Sequence, residues 1–169
     1  MKLSFVPDYY FDSYKYADAR FLSSIGVKGI VLDVDNTLEP YENAKPSAEV
    51  VAWLNSLKSA GISASIVSNN NRKRITVFNA ELCLPAFFKA KKPFKNNVLR
   101  AMELMKTSPH ETVLMGDQIF TDVWAARNAR IRAILVPPIK DKTDIFTLLK
   151  RLLERPILKK YHSKKEKTR

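Results

Sequence analysis

GIVLDVDNTLEP, residues 29–40, begins as an apolar strand and ends on two aspartates, Asp33 and Asp35. A run such as Gly29–Val34 is normally buried, and an unpaired charge there is strongly unfavourable. The pair therefore either caps the turn that follows or belongs to a site. A D-x-D start also opens calcium loops of the helix–loop–helix type, but those need Gly at the sixth position and Glu at the twelfth. Here those positions hold Leu38 and Ala44, and a strand comes before them.

The pattern around this stretch alternates. Strand-like runs are expected at Gly29–Val34, Ile62–Ser68, Ala86–Lys89, Thr112–Gly116 and Ala133–Val136. Helical patterns fall at Ala48–Ala60, Arg72–Leu82, Lys95–Lys106, Asp122–Ala129 and Asp144–Leu153, with Ser47 as an N-cap and Gly61 as a stop. Such alternation implies right-handed crossovers and a doubly wound parallel sheet with helices on both faces. Ligands of these folds bind at the carboxyl ends of the strands. Asp33, Asp35, Ser68 and Asp117 all stand at such ends, which favours a site over a cap.

Composition fits a folded enzyme-sized unit. The 169 residues are 46% hydrophobic, and one domain is expected over residues 1–155 with a basic tail at 156–169. No apolar stretch is long enough for a membrane span, and the polar, acidic N-terminus does not read as a signal peptide, so a cytoplasmic location is expected. The lone Cys83, between two leucines, is expected in the core, and His110 and His162 on the surface. Net charge is +12, and residues 150–169 hold nine Lys and Arg against two Glu, so +7 of it lies in that stretch. An anionic partner follows: a phosphorylated substrate, an anionic membrane face or nucleic acid. Neither an aromatic RNA-binding strand nor a helix-turn-helix pattern is present, so nucleic-acid binding without catalysis is the runner-up.

The motifs together resemble those of the haloacid dehalogenase superfamily. DVDNTL at 33–38, Ser68 after an apolar strand, Lys92 before Pro93, and GDQIFTD at 116–122 occur in that family's order, and the likeness covers residues 28–137. More narrowly, DVDNTL, SNNN, KKP and GDQIFTD look like the YqeG-type branch of subfamily IIIA, which is similar to phosphatidylglycerophosphate phosphatases.

This resemblance implies a Rossmann-like phosphatase using Mg²⁺. Asp33, the backbone carbonyl of Asp35, Asp117 and Asp122 would hold the metal, hard oxygen donors suiting a hard cation. Asp33 would also be the nucleophile, forming an aspartyl-phosphate, and Asp35 the general acid and base. Ser68, Asn69 and Lys92 would bind phosphoryl oxygens. Lys92 is taken from the family register, since KAKKP also offers Lys89 and Lys91; Asn70 and Asn71 read as loop formers.

The intervals between residues 33 and 68, and between 68 and 92, are filled by the elements already assigned. No cap domain fits, so the site is expected to be open to a bulky phosphate such as a phospholipid. The basic tail would then hold the protein at the inner face of an anionic membrane. The aromatic N-terminus (Phe5, Tyr9, Tyr10, Phe11, Tyr14, Tyr16) either enters that interface or, the favoured expectation, packs on the sheet edge.

Overall fold

A computed structural model describes residues 5–140, 154, 156–159 and 161 of the chain. Six strands form one parallel sheet: β1 (Tyr9–Tyr10), β2 (Gly29–Leu32), β3 (Ser63–Val67), β4 (Ala86–Phe87), β5 (Thr112–Gly116) and β6 (Arg132–Leu135). Their spatial order is β1-β6-β5-β2-β3-β4. The expected strand at Ala86–Lys89 ends two residues early, because Lys89 turns into a left-handed conformation (φ 45°).

Helices cover both faces. On one lie α1 (Ala19–Ser24), α2 (Ala48–Ser59) and α3 (Arg72–Asn79); on the other lie α4 (Asn96–Met105) and α5 (Trp124–Ala129). Strand residues alternate between them. Ile30, Leu32, Val113, Met115, Ile66 and Ile134 join the first core, while Val31, Leu114, Val67, Ala133 and Leu135 join the second. A sheet buried on both faces explains why these strands read as continuous apolar runs.

The helix stops have local causes. The Ser47 hydroxyl accepts from the Val50 N–H at the start of α2, and Gly61 follows its end at φ +76°, a conformation suited to glycine. The helix expected at Arg72–Leu82 ends at Asn79, whose side chain bonds both the N–H and the carbonyl of Leu84 and draws the chain toward β4. Cys83 lies in that return at φ 52° and is exposed, so it is not a core residue. The helix expected from Asp122 is instead a π-helical turn, Ile119–Val123, running into α5. Asp144–Leu153 lies outside the described residues.

The N-terminal aromatics belong to the fold. β1 pairs with β6 through Tyr9↔Ile134 and Tyr10↔Leu135. Phe21 packs edge-on against Tyr9 at 5.1 Å and Phe11 at 4.9 Å, and Tyr14 packs against Trp53 at 5.2 Å. An edge strand and α1 therefore replace the membrane alternative; only Tyr16, at 62% exposure, stands free of the packing.

Part of the stretch expected as a basic tail, 156–169, is among the described residues. Residues 156–159 are helical, and Ile157 and Leu158 pack on the second core. Glu154 accepts from the Ile119 N–H at 3.0 Å, and the Tyr161 hydroxyl accepts from the Tyr10 N–H at 3.0 Å. Among the described residues of this stretch, Ile157, Leu158 and Tyr161 are therefore in contact with the folded unit. Among the described residues no helix is long and apolar enough to cross a membrane.

Candidate active site

The chain leaves β2 for β3 on one side and later returns to β5 on the other, so the sheet's winding reverses beside β2. Asp33 follows β2 and Asp117 follows β5, which puts both at the crevice such a reversal creates. The π-helical turn brings Asp122 to the same place, since its extra residue per turn redirects a side chain that a regular helix would aim elsewhere. One carboxylate oxygen from each of Asp33, Asp117 and Asp122 lies within 4.8 Å of the others. Gly116 makes that possible: a Cβ there would overlap the Asp122 carboxylate.

Lys92 reaches the cluster from the loop after β4. Its ammonium lies 2.6 Å from Asp122 Oδ1 and 3.0 Å from Asp33 Oδ1, with the side chain 2% exposed. Lys89 and Lys91 are exposed, so of the three lysines Lys92 is the one that lies beside the carboxylates. Burial, with Lys92 opposing and Asp122 adding repulsion, pushes the Asp33 carboxyl up to about 6. Burial and the charges of Asp122 and Asp33 push Asp117 well above the usual carboxylate range. Burial alone would lower the Lys92 pKa, but Asp122 and Asp33 outweigh it and raise it. Three buried carboxylates, once ionised, outnumber the one ammonium beside them. That hard-oxygen set fits a small divalent cation, which would relieve the repulsion.

Ser68 closes β3 and is 2% exposed. Its N–H donates to the Phe87 carbonyl and its hydroxyl accepts from the Asn70 N–H. Asn69, also expected on phosphoryl oxygens, lies against the backbone of Lys92. Its amide accepts from the Lys92 N–H at 2.7 Å and donates to the Lys92 carbonyl at 3.2 Å, so both ends tether the lysine's loop. Thr37, 1% exposed, donates to Asp117 Oδ1 at 3.4 Å.

The Asp35 carboxylate is outside the group of three and has its own partners. Arg74 Nε donates to its Oδ1 at 2.9 Å and Asn70 Nδ2 to its Oδ2 at 2.7 Å. Arg74 Nη1 donates to the Ala44 carbonyl at 2.9 Å, while Nη2 is buried with no partner among the described residues. Neither Asn70 nor Arg74 stands out from SNNNRKR, where three amides and three cations follow one another. The recoverable signal is the spacing of Arg74 from Phe78, one helical turn, which puts the guanidinium 5.2 Å over a core ring.

Comparison with known proteins agrees with this geometry. Residues 24–136 match the family described as haloacid dehalogenase-like hydrolase. "Probable phosphatase YqeG" of Bacillus subtilis (strain 168) is 33% identical over 158 residues, covering 94% of this chain and 92% of that protein. A haloacid dehalogenase superfamily hydrolase from Ehrlichia chaffeensis superposes with a TM-score of 0.55 at 17% identity, over 76% of this chain and 98% of that one. A putative β-phosphoglucomutase from Thermotoga maritima does so at 0.52 and 16% identity, over 73% and 90%. At these identities the two structures speak for the fold. The family match spans most of the chain and the Bacillus relative nearly all of it, so the chain belongs to the haloacid dehalogenase-like hydrolases and is a phosphatase of that family.

Proposed function

We propose that the protein hydrolyses phosphomonoesters with Mg²⁺ bound by Asp33, Asp117, Asp122 and the backbone carbonyl of Asp35. The observation that carries this is the convergence of three buried carboxylates within 4.8 Å, with Lys92 against two of them. When bound, the cation supplies charge that screens a carboxylate nucleophile from an anionic ester.

The chain's own groups do the rest. An Asp33 oxygen attacks phosphorus; the P–O bond to it forms as the ester P–O bond breaks, and the proton for the departing oxygen comes from Asp35. In the second step Asp35 takes a proton from water, whose oxygen attacks phosphorus and releases Asp33 and inorganic phosphate. Lys92 and the groups around Ser68 hold phosphoryl oxygens as charge builds on them. Arg74 and Asn70 hold Asp35 at rest, so Asp35 must part from one of them to reach a leaving group. The buried, unpartnered Nη2 of Arg74 supports a place beside the substrate for an oxygen acceptor.

The substrate we infer is bulky, a lipid phosphate such as phosphatidylglycerophosphate. The interval between β2 and β3 holds α2, and that between β3 and α4 holds α3 and β4, so neither interval holds a cap domain among the described residues. Asp33→Asn should abolish turnover of p-nitrophenyl phosphate, as should EDTA with the parent protein. Full activity in either case overturns the mechanism. A higher kcat/KM for small sugar phosphates than for phosphatidylglycerophosphate in mixed micelles overturns the lipid assignment.

A further inference from the structure

The loop that delivers Lys92 has an unusual outer side. FFKAKKPFK, residues 87–95, is pinned from within: Ala90 is buried and donates to the Ser68 carbonyl, Lys89 donates to the Asn70 carbonyl, and the Pro93 carbonyl accepts from Asn128. What remains outside is Phe88 at 41% exposure, Phe94 at 68%, and Lys89, Lys91 and Lys95. Arg72 and Lys73, both exposed, open α3, and the Arg72 guanidinium lies 5.8 Å over the Phe88 ring. Among the described residues none of these five cations is ion-paired. Between Glu81 and Glu103 the sequence has no carboxylate at all.

We infer that this rim, Phe88 and Phe94 with Arg72, Lys73, Lys89, Lys91 and Lys95, docks on the surface of an anionic lipid bilayer. Two exposed phenyl rings offer hydrocarbon and no hydrogen bond, so their favourable environment is apolar. Five unpaired cations beside them match lipid phosphates, and long lysine stems let the charge stay at headgroup depth while the rings go deeper. A bilayer surface meets both needs within one plane, and adhesion from two weak signals is the usual requirement for stable peripheral binding. Phe88 and Phe94 stand on the loop that carries Lys92 to the carboxylates, so docking through them sets that loop against the headgroups. The inference rests on the phosphatase reading only for the site it serves; the docking itself is measured without turnover.

The test uses the full chain and sedimentation with vesicles of phosphatidylcholine, alone or mixed equally with phosphatidylglycerol. The parent should bind the mixed vesicles, and Phe88→Ser/Phe94→Ser should weaken that binding by about tenfold or more, at high salt as well as low. Lys89→Glu/Lys91→Glu/Lys95→Glu should weaken it chiefly at low salt. Phe94→Trp should gain fluorescence quenching from brominated acyl chains that the parent lacks. Both phenylalanines are surface residues, so the serine pair should keep the parent's melting temperature and its turnover of p-nitrophenyl phosphate. Equal vesicle binding by parent and serine pair, or no quenching at residue 94, overturns the proposal. So does tighter, Phe-dependent binding to single-stranded RNA than to vesicles. If the parent binds vesicles but hydrolyses nothing with Mg²⁺, the phosphatase reading fails and the docking surface stands.

Discussion

The loops after β2 and after β4 meet at one site and are built on opposite principles. The first, residues 33–47, folds in on itself. Glu39 is buried and accepts from the Ser47 N–H at 2.9 Å and from Asn43 at 2.7 Å, and its own carbonyl accepts from the Asn36 N–H at 2.7 Å. Burial would raise the Glu39 pKa, but those bonds outweigh it and hold the carboxyl below its usual range. Arg74 ties the same loop to α3 through Asp35 and Ala44. The second loop, residues 88–95, sends one charged group inward and leaves its other lysines and two rings outside. Asp33, Asp35 and Glu39 are thus drawn inward, while Lys89, Lys91 and Lys95 are left where an anionic partner can meet them. Charge sign and burial divide the labour at the site.

The largest break in this contrast is removal of the one inward cation. Lys92→Ala leaves Asp33, Asp117 and Asp122 without it, so metal-free protein should lose about 3–5 kcal/mol by denaturant unfolding. Turnover should fall by about 10²–10³-fold as phosphoryl charge loses its counterion. Unchanged stability in EDTA would mean that the ion pairs with Asp33 and Asp122 are not formed.

The next test uses pH, and its sign is set by the direction of the Asp33 shift. A carboxyl near 6 when folded and near 4 when unfolded keeps its proton longer in the native state. Stability of the metal-free protein should therefore fall as pH rises across that interval, by about 3 kcal/mol for this group alone. Asp117 acts in the same direction. Glu39, held low, works oppositely, and its contribution is lost only as pH drops below the ordinary carboxylate range. Melting curves in EDTA at pH 4.5–7 check this, and Mg²⁺ should raise the melting temperature more at the upper end. A rise of stability with pH in EDTA would contradict the crowded carboxylates.

The smallest effect concerns the tether between two loops. Asn69→Ala removes both bonds to the Lys92 backbone and should cost about 1 kcal/mol. Turnover should fall by about tenfold, through looser placement of Lys92. Loss as large as that of Lys92→Ala would show that Asn69 touches substrate directly.

Legibility in the sequence tracked how far each feature depends on its immediate neighbours. Asp33, Ser68 and Asp117 were readable because each closes an apolar run, and a parallel sheet must turn such ends toward one edge. Asp122 was suggested only by the resemblance of GDQIFTD to a family motif, and the π-helical turn that sets it beside Gly116 was not legible. β1 escaped because two residues show no period, and its pairing with β6 joins positions far apart in the chain. Cys83 was misplaced because flanking leucines signal burial, whereas a left-handed turn aimed its side chain outward.

The sequence by itself determined the alternating parallel architecture, the strand ends that carry polar groups, and the concentration of positive charge. These follow from short-range rules: hydrophobic period, capping residues and motif spacing. Only the tertiary structure decided which of three lysines lies beside the carboxylates, that Asn69 bonds the Lys92 backbone and Asn70 contacts Asp35, that Arg74 clamps Asp35 to Ala44, and that Ile157 and Leu158 pack on the second core. Those outcomes depend on pairs distant in sequence and close in space. Composition around a lysine or an asparagine is the same whichever way its backbone turns, and that turn is fixed by long-range hydrogen bonds and packing.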